Sequence, residues 1–329
     1  MLRSCFLSVM LLIALSLLSA GTTADYRQDP EARAMVDRLV AEDGLDRNQL
    51  MDWLGQARRQ EQVLSLIRRP AEKTLTWGEY RSIFLTERRT RLGHRFLNQH
   101  EQAFARAEDV YGVPRAIVAA IIGVETRYGD VMGSIRVLDA LATLAFDYPP
   151  RSDFFRGQLA EYFRLVHEQD FEVTEPTGSY AGAMGYGQFI PGSYRHYARD
   201  FDGDGVVDLM GSPVDAIGSV AHYMARHDWQ PGQPVAVPVD EATPSPALLT
   251  EGLKPRLTLA DYRRAGIDDG TPLASDTPAR LLALTVGDQT RYWLTFPNFY
   301  AITRYNHSHL YAMAVLALSR TLETDEGKG

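Results

Sequence analysis

The stretch Val113-Pro114-Arg115-Ala116-Ile117-Val118-Ala119-Ala120-Ile121-Ile122-Gly123-Val124-Glu125-Thr126-Arg127-Tyr128-Gly129 decides the fold class. Pro114 suits the first turn of a helix, where its missing N–H needs no partner and its φ is preset. Residues 116–124 are apolar on every side, which predicts a helix buried all round. Gly129 predicts the stop. Glu125 comes four residues after Ile121 and eight after Ile117, so the three side chains share one helix face. A carboxylate on such a face loses water, which raises its pKa toward the range a general acid needs near neutral pH. The helix alone leaves two readings open. Glu125 is a proton donor, or it is a structural glutamate paired with Arg127 or another arginine, since structural ion pairs also perturb carboxylates.

Upstream, residues 25–98 read as a helical region. Asp29-Pro30-Glu31 opens one helix, with Met35, Val36, Leu39 and Val40 at helical spacing. Residues 45–57 predict a second, and residues 77–97 a charged helix plus turn. Residues 99–232 are again mostly helical, broken by Gly-rich and Asp-rich loops. Residues 233–296 change character: Pro and Thr rise, and helical periodicity is lost. Val235-Ala236-Val237, Leu257-Thr258-Leu259, residues 281–286 and Tyr292-Trp293-Leu294 read as short strands of a small β-rich insertion. Within residues 297–329 the helical pattern returns, with Met313, Leu316 and Leu318 among its apolar positions. No internal repeat is present.

Two further segments carry candidate chemistry. The loop Gly178-Ser179-Tyr180-Ala181-Gly182-Ala183-Met184-Gly185-Tyr186-Gly187-Gln188-Phe189 permits close approach of backbone to a ligand. Gln188 can donate and accept, as an amide-bearing sugar requires, and Tyr186 and Phe189 offer flat apolar faces. The loop lacks the Lys-Ser/Thr of a phosphate-binding loop. Taken alone it is equally a tight structural turn. In Ile302-Thr303-Arg304-Tyr305-Asn306-His307-Ser308, Tyr305 and Asn306 are candidates to hold a substrate. As an isolated segment it also reads as a helix start with a packed tyrosine.

Asp200-Phe201-Asp202-Gly203-Asp204-Gly205-Val206-Val207-Asp208 matches the start of an EF-hand-type calcium loop. Asp200, Asp202 and Asp204 occupy positions one, three and five, Gly205 the sharp turn, Val206 the backbone-carbonyl position, and Asp208 position nine. Position twelve should be a bidentate Glu and is Gly211 instead. Hard oxygen ligands favour calcium over zinc, in a structural role. The competing reading is a solvated Asp-Gly turn. His222, His227, His307 and His309 lack zinc-protease spacing and read as packed or surface residues, with His307 near the groove.

Composition excludes several classes. The chain has 329 residues and a net charge of -8, or -9 without Arg3 (-8 − 1), and carries no basic arm, so nucleic-acid binding is not expected. Residues 1–24 combine Arg3, an apolar run over 6–18 and a small-residue site ending Thr22-Thr23-Ala24, which reads as a secretory signal cleaved before Asp25; the alternative is an uncleaved anchor. No later stretch is apolar enough to span a bilayer. The single cysteine, Cys5, lies in that segment and has no lipoprotein-type site before it. The mature chain therefore has no thiol chemistry and no disulfides.

Together the segments resemble the lytic murein transglycosylase B family. The resemblance rests on Ile122-Gly123-Val124-Glu125-Thr126-Arg127-Tyr128-Gly129, Leu138-Asp139-Ala140-Leu141-Ala142-Thr143-Leu144, the Gly182-to-Phe189 loop, Pro213-Val214-Asp215-Ala216-Ile217-Gly218-Ser219-Val220, and Pro297-Asn298-Phe299-Tyr300 through Asn306-His307-Ser308. Several long motifs in one order, over about residues 30–320, are far more specific than one short pattern. The resemblance implies a mainly α (α+β) protein with a lysozyme-like catalytic core. It implies Glu125 as sole catalytic carboxylate, and a glycan groove including Ser179, Gln188, Tyr223, Tyr305 and Asn306, with Tyr80 and Tyr311 matching less closely. Asp215 matches the family's substitute last ligand of the calcium loop. The family's lipoprotein members carry a lipid-modified cysteine that this chain lacks, which implies free periplasmic residence and peptidoglycan strands as partner.

The reaction so implied is cleavage of the MurNAc-GlcNAc β-1,4 bond with closure of a 1,6-anhydro ring. Ordinary glycosidases use two carboxylates. Asp130 and Asp139 lie near Glu125 in sequence, but nothing places either across a sugar. The alternatives are a lysozyme-type muramidase on the same groove and a non-catalytic peptidoglycan-binding protein.

Overall fold

The computed structural model describes residues 25–68, 75–239, 244–267 and 270–324; the signal segment expected over 1–24 lies outside them. Helices dominate. The first is α1 (Pro30–Asp43), with Asp29 accepting from Glu31 N and Ala32 N as its cap and Pro30 in its first turn. Then come α2 (Arg47–Gln56), α3 (Glu61–Leu66), α4 (Trp77–Phe84), α5 (Glu87–Gln99) and α6 (Glu101–Tyr111). The break between α4 and α5 is where the charged segment turns. Thr76 and Glu79 cap α4 reciprocally, and Thr86 caps α5.

The apolar stretch forms α7 (Arg115–Thr126), buried from Ala116 to Val124. It packs against α14 (His309–Thr324), α5, α6 and α11 (Pro213–Arg226), so every face has a neighbour. Contact with α5 is close because Gly93 and Gly123 face the Tyr128 ring. A Cβ at either glycine would lie about 2.5 Å or less from the Tyr128 hydroxyl. The helix ends before Gly129. Arg127 (φ 55) and Tyr128 (φ 61) are already left-handed, and Gly129 (φ 92) continues the turn. The expected stop is therefore displaced toward the N-terminus. Two non-glycine residues hold an uncommon conformation, fixed by Arg127 N donating to Gly123 O and Val131 N to Thr126 O.

Two more helices, α8 (Val137–Asp147) and α9 (Ser152–Gln169), pack as a pair beside this core, and α10 (Pro191–Tyr197) lies on α9. A two-stranded antiparallel ribbon joins β1 (Ile135–Arg136) to β2 (Thr177–Gly178), with Ile135 opposite Gly178 and Arg136 opposite Thr177.

The β-rich segment forms a four-stranded antiparallel sheet in the order β3 (Ala236–Val239), β6 (Gln289–Thr295), β5 (Pro278–Val286), β4 (Leu257–Thr258). A two-residue turn at Gly287-Asp288 closes the β5–β6 hairpin, with Val286 opposite Gln289. Leu281 on β5 and Leu294 on β6 bury into a small cluster with Tyr262 and Phe296, whereas Leu282 and Leu284 belong to the main core. One strand thus serves two cores by facing both ways. Leu259 is not strand: it starts α12 (Leu259–Arg264), where a Thr258–Asp261 capping box outweighs the β-like Leu-Thr-Leu pattern. The chain returns through α13 (Pro297–Tyr305) to α14. No described helix is long and apolar enough to cross a membrane.

Candidate active site

The end of α7 opens into a cleft of about 620 Å3. Its lining includes Glu125, Ser179, Gln188, Phe189, Tyr223, Tyr305 and Asn306, so segments far apart in the chain meet at one place. Among the described lining residues Glu125 is the only carboxylate. Neither nearby aspartate serves as a second. Asp130 is exposed and faces Arg88 at 3.5 Å. Asp139 is buried, accepts from Arg58 N at 2.9 Å and Gln60 Nε2 at 3.0 Å, and pairs with Arg136. Its oxygens are committed to holding the α2–α3 connection onto α8.

Glu125 is partly exposed at the cleft. Its Oε1 accepts from the buried Tyr311 hydroxyl at 2.7 Å. Tyr311 and Tyr305 lie with parallel rings, centroids 6.4 Å apart. Both hydroxyls are held well above the usual tyrosine range, first by burial and then by the nearby Glu125 charge. They stay protonated and serve as donors. Tyr311 therefore sits behind the carboxylate rather than in the cleft lining. Tyr80 is likewise buried outside the lining, on α4 against Phe84, close enough to raise Tyr311 through its charge.

The glycine-rich loop folds on itself. Met184 and Phe189 exchange backbone hydrogen bonds at 2.9 Å, and Ser179 N donates to Ala183 O. Gly185 (φ 69) is required: a Cβ there would sit 2.1 Å from Leu209 O. The Ser179 hydroxyl accepts from Ala181 N and Ala183 N, which leaves its own proton to donate. Gln188, left-handed at φ 50, spends its amide nitrogen on Met132 O and Gly185 O, each at 3.0 Å, so its carbonyl oxygen is the group left for a ligand. Tyr186 does not line the cleft. Its ring stacks on Phe96, and its carbonyl accepts from Thr126 Oγ1 at 2.8 Å.

Thr126 escaped sequence reading. It is buried, and its hydroxyl also accepts from Gly129 N, so one side chain clamps the end of the Glu125 helix to the glycine-rich loop. Tyr223 donates to Arg304 O at 2.7 Å and stacks on His227, with centroids 4.0 Å apart. Tyr305 donates to Gly187 O. Arg151, Phe154, Arg304 and His307 complete one end of the cleft. His307 is lowered by burial and by the charges of Arg304 and Arg151. Arg151 and Phe154 left only a faint signal, an exposed Phe following Pro149-Pro150-Arg151.

In the acidic loop, one carboxylate oxygen from each of Asp200, Asp202 and Asp204 falls within 4.8 Å of the others. Backbone N–H groups of Gly203 and Gly205 donate to Asp200, and Val206 N donates to Asp204, curling the loop around the three. Asp208 and Asp215 do not join them. Asp208 Oδ1 accepts from Met210 N and Gly211 N. Asp215 is buried, and its two oxygens accept from Phe201 N at 2.7 Å and Asp208 N at 2.8 Å. It fastens both sides of the loop to the start of α11.

The transglycosylase SLT domain profile matches residues 27–320. The chain belongs to that family. Among its relatives, it is 44% identical over 307 residues to the membrane-bound lytic murein transglycosylase B of Escherichia coli (strain K12), a match covering 91% of this chain and 84% of that one. The structure of Escherichia coli lytic transglycosylase Slt35 in complex with calcium is 43% identical, with a TM-score of 0.84, covering 94% of this chain and 97% of Slt35. SltB3 from Pseudomonas aeruginosa in complex with NAG-NAM-pentapeptide is 33% identical, with a TM-score of 0.79 over 89% of this chain and 79% of SltB3. The mainly helical, lysozyme-like architecture of this transglycosylase is thereby accounted for.

Proposed function

We propose that this transglycosylase cleaves the MurNAc-GlcNAc β-1,4 bond of peptidoglycan without adding water, leaving 1,6-anhydro-MurNAc ends. The observation that carries the reading is the solitary Glu125 in a cleft with no second described carboxylate. Inverting and retaining glycosidases both need a partner carboxylate, one to activate water and the other to trap the sugar. A single carboxyl group suffices when the substrate supplies the rest. Glu125 protonates the departing glycosidic oxygen. The substrate's own 2-acetamido oxygen stabilises the cationic anomeric carbon. Glu125, now ionised, removes the proton of the C6 hydroxyl, which attacks C1 and closes the ring. Intramolecular attack gains a high effective concentration. Tyr311 steadies the carboxylate through both proton transfers. In this reading the Ser179 hydroxyl and the Gln188 carbonyl hold amide and hydroxyl groups of the sugars, and Phe189, Tyr223 and Tyr305 form aromatic walls for their apolar faces; that all five line the cleft supports it.

Mass spectrometry of products from purified sacculi tests the reaction. Anhydro ends are expected. Ends one water heavier would replace this reading with a muramidase. Binding to sacculi with no soluble product would replace it with a binding protein.

The Asp200–Asp202–Asp204 cluster fits a hard cation: three carboxylates converge, and no described arginine or lysine pairs with them. Calcium there would neutralise their mutual repulsion and tie the loop between α10 and α11; it takes no part in proton transfer. The charged start, apolar run and small-residue site of residues 1–24 support an export signal cleaved before Asp25, and a peptidoglycan substrate fits residence in the periplasm.

A further inference from the structure

A second cleft, of about 540 Å3, is lined by Gly55, Gln56, Ala57, Arg58, Arg136 of β1 and Thr174. Its chemistry contrasts with that of the catalytic cleft. It has no aromatic side chain on which a sugar ring stacks, whereas the catalytic cleft has Phe154, Tyr180, Phe189, Tyr223 and Tyr305. It has two guanidinium groups and no carboxylate in its lining. Glu172 and Glu175 are exposed on either side of Thr174 but do not line it.

Arg136 is preset: its Nη2 donates to Gln56 O at 3.1 Å, and Asp139 lies 3.7 Å from its Nη1. Its Nε is buried and makes no hydrogen bond among the described residues. Arg58 is exposed, and no described residue pairs with its side chain, although its backbone N–H is anchored on Asp139. The exposed Arg58 offers the paired N–H groups through which arginine binds a carboxylate, and Arg136, whose Nη groups face Gln56 O and Asp139, adds fixed positive charge to the wall of the cleft.

The ribbon ties this cleft to the reaction. Arg136 stands opposite Thr177, two residues before Ser179 of the catalytic cleft. With strands about 4.8 Å apart and about 3.3 Å of rise per residue, the backbones of Arg136 and Ser179 are about 8 Å apart. An extended pentapeptide reaches about 17 Å. That reach exceeds the Arg136–Ser179 backbone separation, so a peptide on a sugar bound beside Ser179 is long enough to approach Arg136.

The geometry points to the Arg58–Arg136 cleft as a binding site for a free carboxylate of the peptide that peptidoglycan carries on its muramic acid. The inference rests on the proposed function for the identity of the sugar strand, and it adds a selection for peptide-bearing over bare glycan.

The test is a binding comparison on the full mature chain, wild type against Arg58→Ala and Arg58→Lys. The probes are a GlcNAc-MurNAc-pentapeptide and a peptide-free glycan tetrasaccharide. Arg58→Ala is expected to weaken the pentapeptide ligand about fivefold to tenfold and leave the bare tetrasaccharide within twofold. Arg58→Lys keeps the charge but loses the paired N–H groups, so it should bind the pentapeptide ligand more tightly than Arg58→Ala and more weakly than wild type. Equal affinity of Arg58→Ala and wild type for the pentapeptide ligand overturns the proposal, and so does an equal loss on both ligands. The latter outcome would make the cleft a further sugar subsite. Wild-type anhydro products are measured in parallel, so a failure of the reaction assignment shows there and not in the binding ratio.

Discussion

The cleft around Glu125 and the loop around Asp200 are both built on carboxylates, and they arrange them in opposite ways. In the cleft a single acid emerges from an apolar helix, with a buried tyrosine donating to it and aromatic walls around it. In the loop, three acids converge in the open, each held by backbone N–H groups. A lone carboxyl in an apolar setting exchanges a proton at modest cost. Several crowded together repel one another, and a bound cation offsets that repulsion. The first arrangement suits proton transfer and the second suits metal binding, although the functional groups are identical.

The largest expected effect tests the solitude of Glu125. Glu125→Gln keeps the shape and removes the transferable proton, so turnover of sacculi should fall by about 10³-fold or more, with melting temperature nearly unchanged. Retention of near wild-type release of anhydro products would remove Glu125 from the mechanism. Asp139→Ala sharpens the same point from the structural side. It leaves Arg58 N, Gln60 and Arg136 without their part-buried acceptor and should cost about 2 kcal/mol of stability. The protein that remains folded at low temperature should turn over at the wild-type rate. A large loss of turnover in that folded protein would make Asp139 a second catalytic carboxylate. Tyr311→Phe comes next. It removes one hydrogen bond to the carboxylate, about 1.4 kcal/mol, and should lower turnover about tenfold while leaving substrate affinity within twofold.

Much of this contrast is legible in the sequence, for reasons that differ by region. The Glu125 helix announces itself because burial on all sides demands an unbroken apolar run, and the acidic loop because Asp and Gly must alternate to curl a backbone around a cation. The four strands follow from lost helical periodicity, but α12 does not, because a two-residue strand running straight into a capped helix shows the same Leu-Thr-Leu pattern as a longer strand. Sequence places Tyr186 and Phe189 together as flat faces. The fold separates them, since residues three apart in a tight loop point to different sides: Phe189 lines the cleft, and Tyr186 stacks on Phe96. Arg151, Phe154 and Thr126 were not found because their roles come from neighbours distant in sequence. Asp215 enters as a ligand candidate through the family resemblance alone, and only the fold reveals that its two oxygens accept from Phe201 N and Asp208 N and so fasten the loop to α11.

The smallest expected effect tests the other half of the comparison. If the loop binds calcium and the cleft alone does chemistry, the ion should change stability and not rate. At free calcium about five times its Kd, binding to the folded state adds about 1 kcal/mol. That corresponds to about 2 °C in melting temperature for a chain of this length. Chelation should remove that increment, and a double replacement Asp200→Ala and Asp202→Ala should make the melting temperature indifferent to calcium. Turnover measured below the melting transition should stay within twofold in every case, because the three aspartates hold the connection into α11 and none of them lines the cleft. A melting temperature that ignores calcium in the wild type would leave the loop as a solvated turn. A rate that tracks calcium in fully folded protein would mean that the loop sets the position of Tyr223, the one cleft residue carried by α11, and the two regions would then form one coupled site.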